Sequence, residues 1–133
     1  MTKKHNFNRE PKPRDERFAT SIVTLRNKKK KGIKAVIVTA YTYPEAVLAD
    51  KAGVDAILVG DSLGMTTLGY KTTIAVTMDD MIAHCRGVWR ANQKAFQVGD
   101  MPFMSYQESN EQAIRNAGRF LKEGGCDAVK VEG

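Results

Sequence analysis

The sequence predicts an α/β fold built on a parallel sheet. Three observations carry this: four short runs rich in β-branched residues, helical stretches with readable caps between them, and apolar character along each run that is nearly continuous rather than alternating. Strands covered on both faces have that last property. The runs are residues 35–40 (AVIVTA), 56–61 (AILVGD), 96–100 (FQVGD) and 128–132 (AVKVE). Their order, βαβαβαβ, calls for right-handed crossovers that return each strand beside the last.

The chain has 133 residues, of which 42% are hydrophobic and 27% charged, a globular composition of about one domain. Its net charge of +6 is unevenly placed. Residues 1–34 hold 12 of the 21 Lys and Arg and 3 of the 15 Asp and Glu, a balance of +9; the remaining 9 and 12 leave −3. The basicity therefore belongs to the N-terminal segment. Residues 1–20, polar and broken by Pro11 and Pro13, read as a flexible basic tail. Residues 21–133 read as the folded part.

The elements follow in order. Residues 21–34 suit a short helix ending at Gly32, with Ile22, Val23 and Leu25 as an apolar face. Pro44 fits the start of the next helix and Gly53 its stop. Thr77 suits a cap, with Asp79 and Asp80 in the positive first turn of a helix running to about Ala91. Ser109 begins S-N-E-Q, a capping-box pattern, and Ala113, Ile114, Ala117, Phe120 and Leu121 mark one face of the helix that Gly124 and Gly125 close. Residues 62–76 (SLGMTTLGYKTTIAV) have no helical period and are expected to form a loop at a strand's C-terminal end. Trp89 is expected in the core, and Met101, Phe103 and Met104 in apolar loop packing.

Several function classes drop out. No uncharged stretch reaches the roughly 18 residues of a membrane span. No apolar signal segment opens the chain, and Cys85 and Cys126 cannot form a disulfide scaffold, so a cytoplasmic setting is expected. The lysine run at residues 28–31 could neutralise phosphates. No aromatic residue is interleaved with it for base stacking, so it reads better as a solvated helix end, with no nucleic-acid partner.

The chemistry gathers at the strand ends. Asp61, Asp100 and Glu132 each close a run. In a parallel sheet those ends share one rim, where α/β proteins bind ligands. Three acids on one rim repel one another unless protonated or bridged by a cation. An all-oxygen donor set favours a hard divalent ion, Mg²⁺ first. Lys130 lies two residues before Glu132 and so faces the same way, offering a cation to a substrate carboxylate. Residues 60–64 (GDSLG) also fit G-x-S-x-G, the nucleophile elbow of serine hydrolases, with Ser62 as nucleophile. That elbow must enter a helix directly and needs a histidine base. Here a loop is expected to follow, and the chain's histidines are His5, in the tail, and His84.

Five ordered segments then point to one family: TAYTYP at residues 39–44, VGDSLGM at 59–65, VTMDDMIAHCRGVWR at 76–90, GDMPFMSY at 99–106 and VKVEG at 129–133. By these the chain resembles the ketopantoate (3-methyl-2-oxobutanoate) hydroxymethyltransferases of pantothenate synthesis, from near Ile22 onward. The resemblance implies the first four strands of a (β/α)₈ TIM barrel. It implies transfer of a hydroxymethyl group from 5,10-methylenetetrahydrofolate to 3-methyl-2-oxobutanoate, giving 2-dehydropantoate through a Mg²⁺-stabilised enolate. By the same resemblance Asp61, Asp100 and Glu132 hold the Mg²⁺, and Asp61, Ser62, Asp100 and Lys130 contact the substrate. Complete members form homo-oligomers. Position 42 is threonine where the family pattern has aspartate.

A whole (β/α)₈ barrel needs about 250 residues, and this chain reaches only its fourth strand. The expectation is an N-terminal half, with the family's general-base glutamate unmatched by any residue here and little turnover by the 133 residues alone. The alternatives are a non-catalytic half-barrel that binds a ligand or a partner subunit, an RNA-binding protein using its basic N-terminus, and the serine hydrolase.

Overall fold

The computed structural model of the chain describes residues 19–132. The basic tail expected over residues 1–20 lies almost wholly outside them. Helix α1 (Ile22–Lys30) comes first. The Ser21 hydroxyl accepts the Thr24 N–H at 3.2 Å, satisfying one of the amides that a helix start leaves bare. Lys28, Lys29 and Lys30 occupy its last turn, beside the negative end of the helix dipole. The apolar face expected on α1 is not covered among the described residues: no α1 residue is buried, and Ile22 and Val23 are exposed. A Lys28–Asp55 ion pair at 2.5 Å ties the helix to the sheet instead.

Strands β1 (Ile37–Thr39), β2 (Ala56–Val59), β3 (Phe96–Asp100) and β4 (Ala128–Lys130) pair in parallel, in the order β1-β2-β3-β4. Sequence neighbours are spatial neighbours throughout. A doubly wound sheet would reverse its order and carry helices on both faces. Here one face takes the helices. Ile57 and Val59 of the sheet share a core with Ala46 and Ala49 of α2 (Tyr43–Ala52), with Met81, Ile82, Cys85 and Val88 of α4 (Met78–Ala91), and with Phe120 of α5 (Asn110–Lys122). This is half of a (β/α)₈ barrel.

Side chains alternate across a strand. Val38, Ile57 and Gln97 stand in one register row toward the helices, and Gly99 lies there too, with Phe120 against it. The other face carries Ile37, Leu58, Val98, Asp100, Ala128 and Lys130. Full burial of every strand, expected from the apolar runs, holds for much of β2 and β3 but not for the outer strands. Ile37 is 61% exposed, and every β4 residue is half-buried. The cause is geometric: each outer strand has one neighbour, and nothing among the described residues covers the second face.

The helix ends follow the sequence closely. Thr77 and Asp80 form the capping box of α4, and Gly53, in the left-handed region at φ 74°, stops α2. Ser109 caps α5 through the Gln112 N–H at 3.1 Å. The Gln112 side chain bonds Glu108 rather than Ser109, so only half of the expected box forms. Ile114 and Leu121 are exposed, a departure from the predicted buried face that leaves Phe120 as the deep anchor of α5. Trp89 is also partly exposed, lying over Gly125 rather than in the core. Met101 is buried as expected, whereas Phe103 and Met104 are exposed. Both cysteines are free and buried.

The N-terminal rim of the sheet is a stabilising end. Asp55 accepts the Val36 N–H at 2.8 Å and Asp127 accepts the Gln97 N–H at 2.8 Å, each clamping a neighbouring strand. Both sit in the same local sequence, Gly-x-Asp-Ala, at residues 53–56 and 125–128.

Candidate functional site

The opposite, C-terminal rim gathers one polar contribution from each strand. Gly60, Asp61 and Ser62 follow β2, and Asp100 closes β3. Lys130 closes β4, with Glu132 two residues on, and Tyr41 follows β1. The parallel register makes Asp100 and Lys130 direct partners. The Lys130 ammonium donates to both Asp100 oxygens, at 2.8 and 2.9 Å, and to Glu132 Oε1 at 2.5 Å. Asp100 is 3% exposed, and its Oδ2 also accepts the Asp61 N–H at 3.2 Å. Gly60 leaves room for the Ser62 hydroxyl: a Cβ there would stand 3.0 Å from Ser62 Oγ, though only in ordinary contact, at 3.7 Å, with Asp100 Oδ2.

The electrostatics follow from this crowding. Burial pushes the Asp61 carboxyl above its usual range, and the nearby Asp100 and Glu132 charges push the same way; Lys130 and a hydrogen bond from Thr73 oppose them. Burial works to lower the Lys130 ammonium, but its hydrogen bonds to Asp100 and Glu132 win, and the net shift is upward. Lys130 pairs directly with Asp100 and Glu132, and no ion pair with Asp61 is seen among the described residues.

Asp61, Ser62, Asp100 and Lys130 come together. Glu132 reaches the group through Lys130, with its side chain 68% exposed. Among the described residues, no three His, Cys, Asp or Glu side chains stand where they could hold one metal ion. The cation among these carboxylates is the lysine ammonium. The donor chemistry of Asp61 and Asp100 still fits a hard divalent ion. Both are carboxylates, and the Asp61 N–H already meets Asp100 Oδ2; burial first, and the Asp100 charge second, make ionised Asp61 costly there, and a bound cation would offset that cost.

Residues 62–76 contain structure that the sequence pattern hid. A one-turn helix, α3 (Leu63–Thr66), and a 3₁₀ turn (Thr73–Ala75) interrupt the expected loop. Ser62 does therefore lead into a short helix. Its backbone sits in the ordinary helical region (φ −53°, ψ −16°), not the strained bend of a nucleophile elbow. Its hydroxyl meets Tyr41 Oη at 2.8 Å, a phenol rather than a histidine base. His84 is engaged elsewhere, its Nδ1 lying 2.7 Å from the Tyr41 carbonyl oxygen.

Two tyrosines escaped the sequence reading. Tyr41 is tied at its N–H to Glu45 (2.8 Å), at its carbonyl to His84, and at its phenol to Ser62. Tyr106 donates its phenol hydrogen to the Glu132 carbonyl at 2.6 Å, holding the end of β4. Both lie inside the conspicuous segments TAYTYP and GDMPFMSY, which was the available signal. An open depression of about 300 Å³ adjoins Tyr41, Thr42, Ala83, His84 and Gly87 but touches none of the rim acids.

Fold and rim together define the class: half of a (β/α)₈ barrel whose polar site lies where such barrels keep theirs. Solved structures agree on the fold. Phosphoenolpyruvate phosphomutase from Streptomyces platensis aligns with a TM-score of 0.64 at 20% identity, over 79% of this chain and 35% of that one. A 2,3-dimethylmalate lyase, described as a PEP mutase/isocitrate lyase superfamily member, aligns at 0.62 and 18% identity, over 80% and 38%. At such identities the likeness speaks of fold alone.

Sequence comparison is more specific. The family model for ketopantoate hydroxymethyltransferase matches residues 19–133, and the chain belongs to that family. The 3-methyl-2-oxobutanoate hydroxymethyltransferase of Moorella thermoacetica is 54% identical over 118 residues, covering 89% of this chain and 44% of that protein. Those of Dehalococcoides mccartyi and Syntrophomonas wolfei are each 56% identical, over 86% and 85% of this chain and 41% of their own length. The chain thus spans about two fifths of the curated relatives it matches.

Proposed function

We propose that this chain supplies the 2-oxo acid and Mg²⁺ portion of a 3-methyl-2-oxobutanoate hydroxymethyltransferase site. The observation that carries the reading is the contact of Asp61, Asp100 and Lys130, each from the end of a different strand, on one rim. Asp61 and Asp100 would hold the metal, with Glu132 acting through Lys130 or water. The ion would supply Lewis acidity at the oxo acid's oxygens, which acidifies the C3 proton. Lys130 bears its positive charge toward the substrate carboxylate, exchanging part of its contact with Asp100 for it. Ser62 offers a neutral donor. The proton at C3 needs a general base, and no residue here matches the family's glutamate.

In the same proposal the one-carbon donor is 5,10-methylenetetrahydrofolate and the product 2-dehydropantoate. Buried free thiols suit a reducing cytoplasm. No helix among the described residues is long and apolar enough to cross a membrane. A homo-oligomer is part of the same proposal.

The test joins residues 19–133 to the C-terminal part of the Moorella thermoacetica relative. Folate-dependent formation of 2-dehydropantoate by the hybrid, abolished by Asp61→Asn, is the expected result. A folded hybrid with no turnover contradicts the proposal.

A further inference from the structure

We propose that Tyr41 is a positioning residue that aims the Ser62 hydroxyl at the 2-oxo group of the substrate, and so sets the preference for 2-oxo acids over simple carboxylic acids. This deepens the reading above and rests on it.

Ser62 has one hydroxyl hydrogen and two lone pairs. Its Oγ lies 2.8 Å from Tyr41 Oη. If the phenol donates, the serine hydrogen is released for a ligand oxygen; if the serine donates, the phenol hydrogen is. Either way the pair presents one directed neutral donor. It stands next to Gly60, where a Cβ would come within 3.0 Å of Ser62 Oγ, so the absent side chain leaves the serine hydroxyl its place.

Tyr41 is built to hold that direction. Glu45 Oε2 receives its N–H, His84 Nδ1 meets its carbonyl at 2.7 Å, and its partly buried side chain packs against the core. All three polar groups of the residue are engaged, so the phenol is fixed before any ligand arrives. A pre-placed donor spends less free energy on ordering than a free rotor does.

The division of labour is then chemical. Lys130 answers the carboxylate, which every carboxylic acid has. The Tyr41–Ser62 pair answers the keto oxygen, which only the 2-oxo acid has.

Calorimetric titration of the full chain in Mg²⁺ buffer with 3-methyl-2-oxobutanoate and with 3-methylbutanoate tests this. Tyr41→Phe keeps the ring and removes the hydroxyl. It should weaken the 2-oxo acid about 3- to 10-fold, the loss of one neutral hydrogen bond, and leave 3-methylbutanoate unchanged. Ser62→Ala should do the same, and the double variant should be no worse than Ser62→Ala alone. Equal loss for both acids, or additive losses in the double variant, would overturn the proposal while leaving the site reading intact. Failure of the wild-type chain to bind the 2-oxo acid would remove the site reading and this inference together. Should Tyr41→Phe fail to fold, Glu45→Ala, which removes the anchor of the Tyr41 N–H, should weaken the 2-oxo acid and not 3-methylbutanoate; equal loss or none for both acids would overturn the proposal.

Discussion

Asp100 and Lys130 are register partners on neighbouring parallel strands, and the lysine ammonium bonds both oxygens of a carboxylate that is 3% exposed. The pair is part of the site and also a structural cost. Lys130→Met leaves a nearly buried carboxylate without its cation. The lysine side chain is 36% exposed, so solvent screens the interaction and the expected loss is about 1–3 kcal/mol rather than the full value of a buried pair. Asp100→Asn combined with Lys130→Met should recover much of it. Urea unfolding of the three proteins checks this; a single-variant loss that the second change does not relieve would contradict it.

Gly99 is required by packing, not by backbone conformation. A Cβ at this position would meet Phe120 Cδ1 at 2.3 Å and Cys126 Sγ at 3.0 Å. Phe120 is the buried anchor of α5 and has no room to withdraw. Gly99→Ala should therefore destabilise the chain by about 1–3 kcal/mol or more. Phe120→Leu in the same background should restore part of the loss, read as a rise in melting temperature.

Asp55 ties β2 to β1 and to α1. The Lys28 ammonium and then the Val36 N–H hold its carboxyl below the usual carboxylate value. A depressed folded pKa gives stability that is present above the unfolded pKa and is lost as pH falls through the folded one. The advantage of wild type over Asp55→Asn should thus be constant near neutrality and shrink below about pH 4. Charge-assisted bonds of this kind are worth about 1.5–3 kcal/mol, less what the partly exposed lysine loses to solvent. Thermal melts of both proteins across the acid range measure it; a gap that widens with acid contradicts the assignment.

Much of this molecule could be read from its residues. Thr77 with Asp80, Gly53 and Ser109 marked helix ends because capping is local chemistry, decided within four residues. Asp61, Asp100 and Lys130 could be brought to one rim because parallel strands put all their C-terminal ends on one side. What escaped was set by distant neighbours. Ile114 and Leu121 have the right spacing for a buried face, yet the described chain offers nothing to cover them. Trp89 packs on Gly125, a contact 36 positions away that no period reveals. The helix α3 is a single turn, too short for an apolar period to register. The repeated Gly-x-Asp-Ala at residues 53–56 and 125–128 gained a meaning only from the structure, where its aspartates clamp the strands. Glu132 was expected beside the two aspartates. It stands beside Lys130 instead, because the lysine on the same side of β4 takes both acids.

The most direct test of the central claim is the Mg²⁺ dependence of 3-methyl-2-oxobutanoate binding by the wild-type chain and by Asp61→Asn, followed by calorimetry. Binding that strengthens with Mg²⁺ in the wild type, and loses that dependence when Asp61 is neutralised, is the predicted result. Binding indifferent both to the metal and to Asp61 would contradict the account.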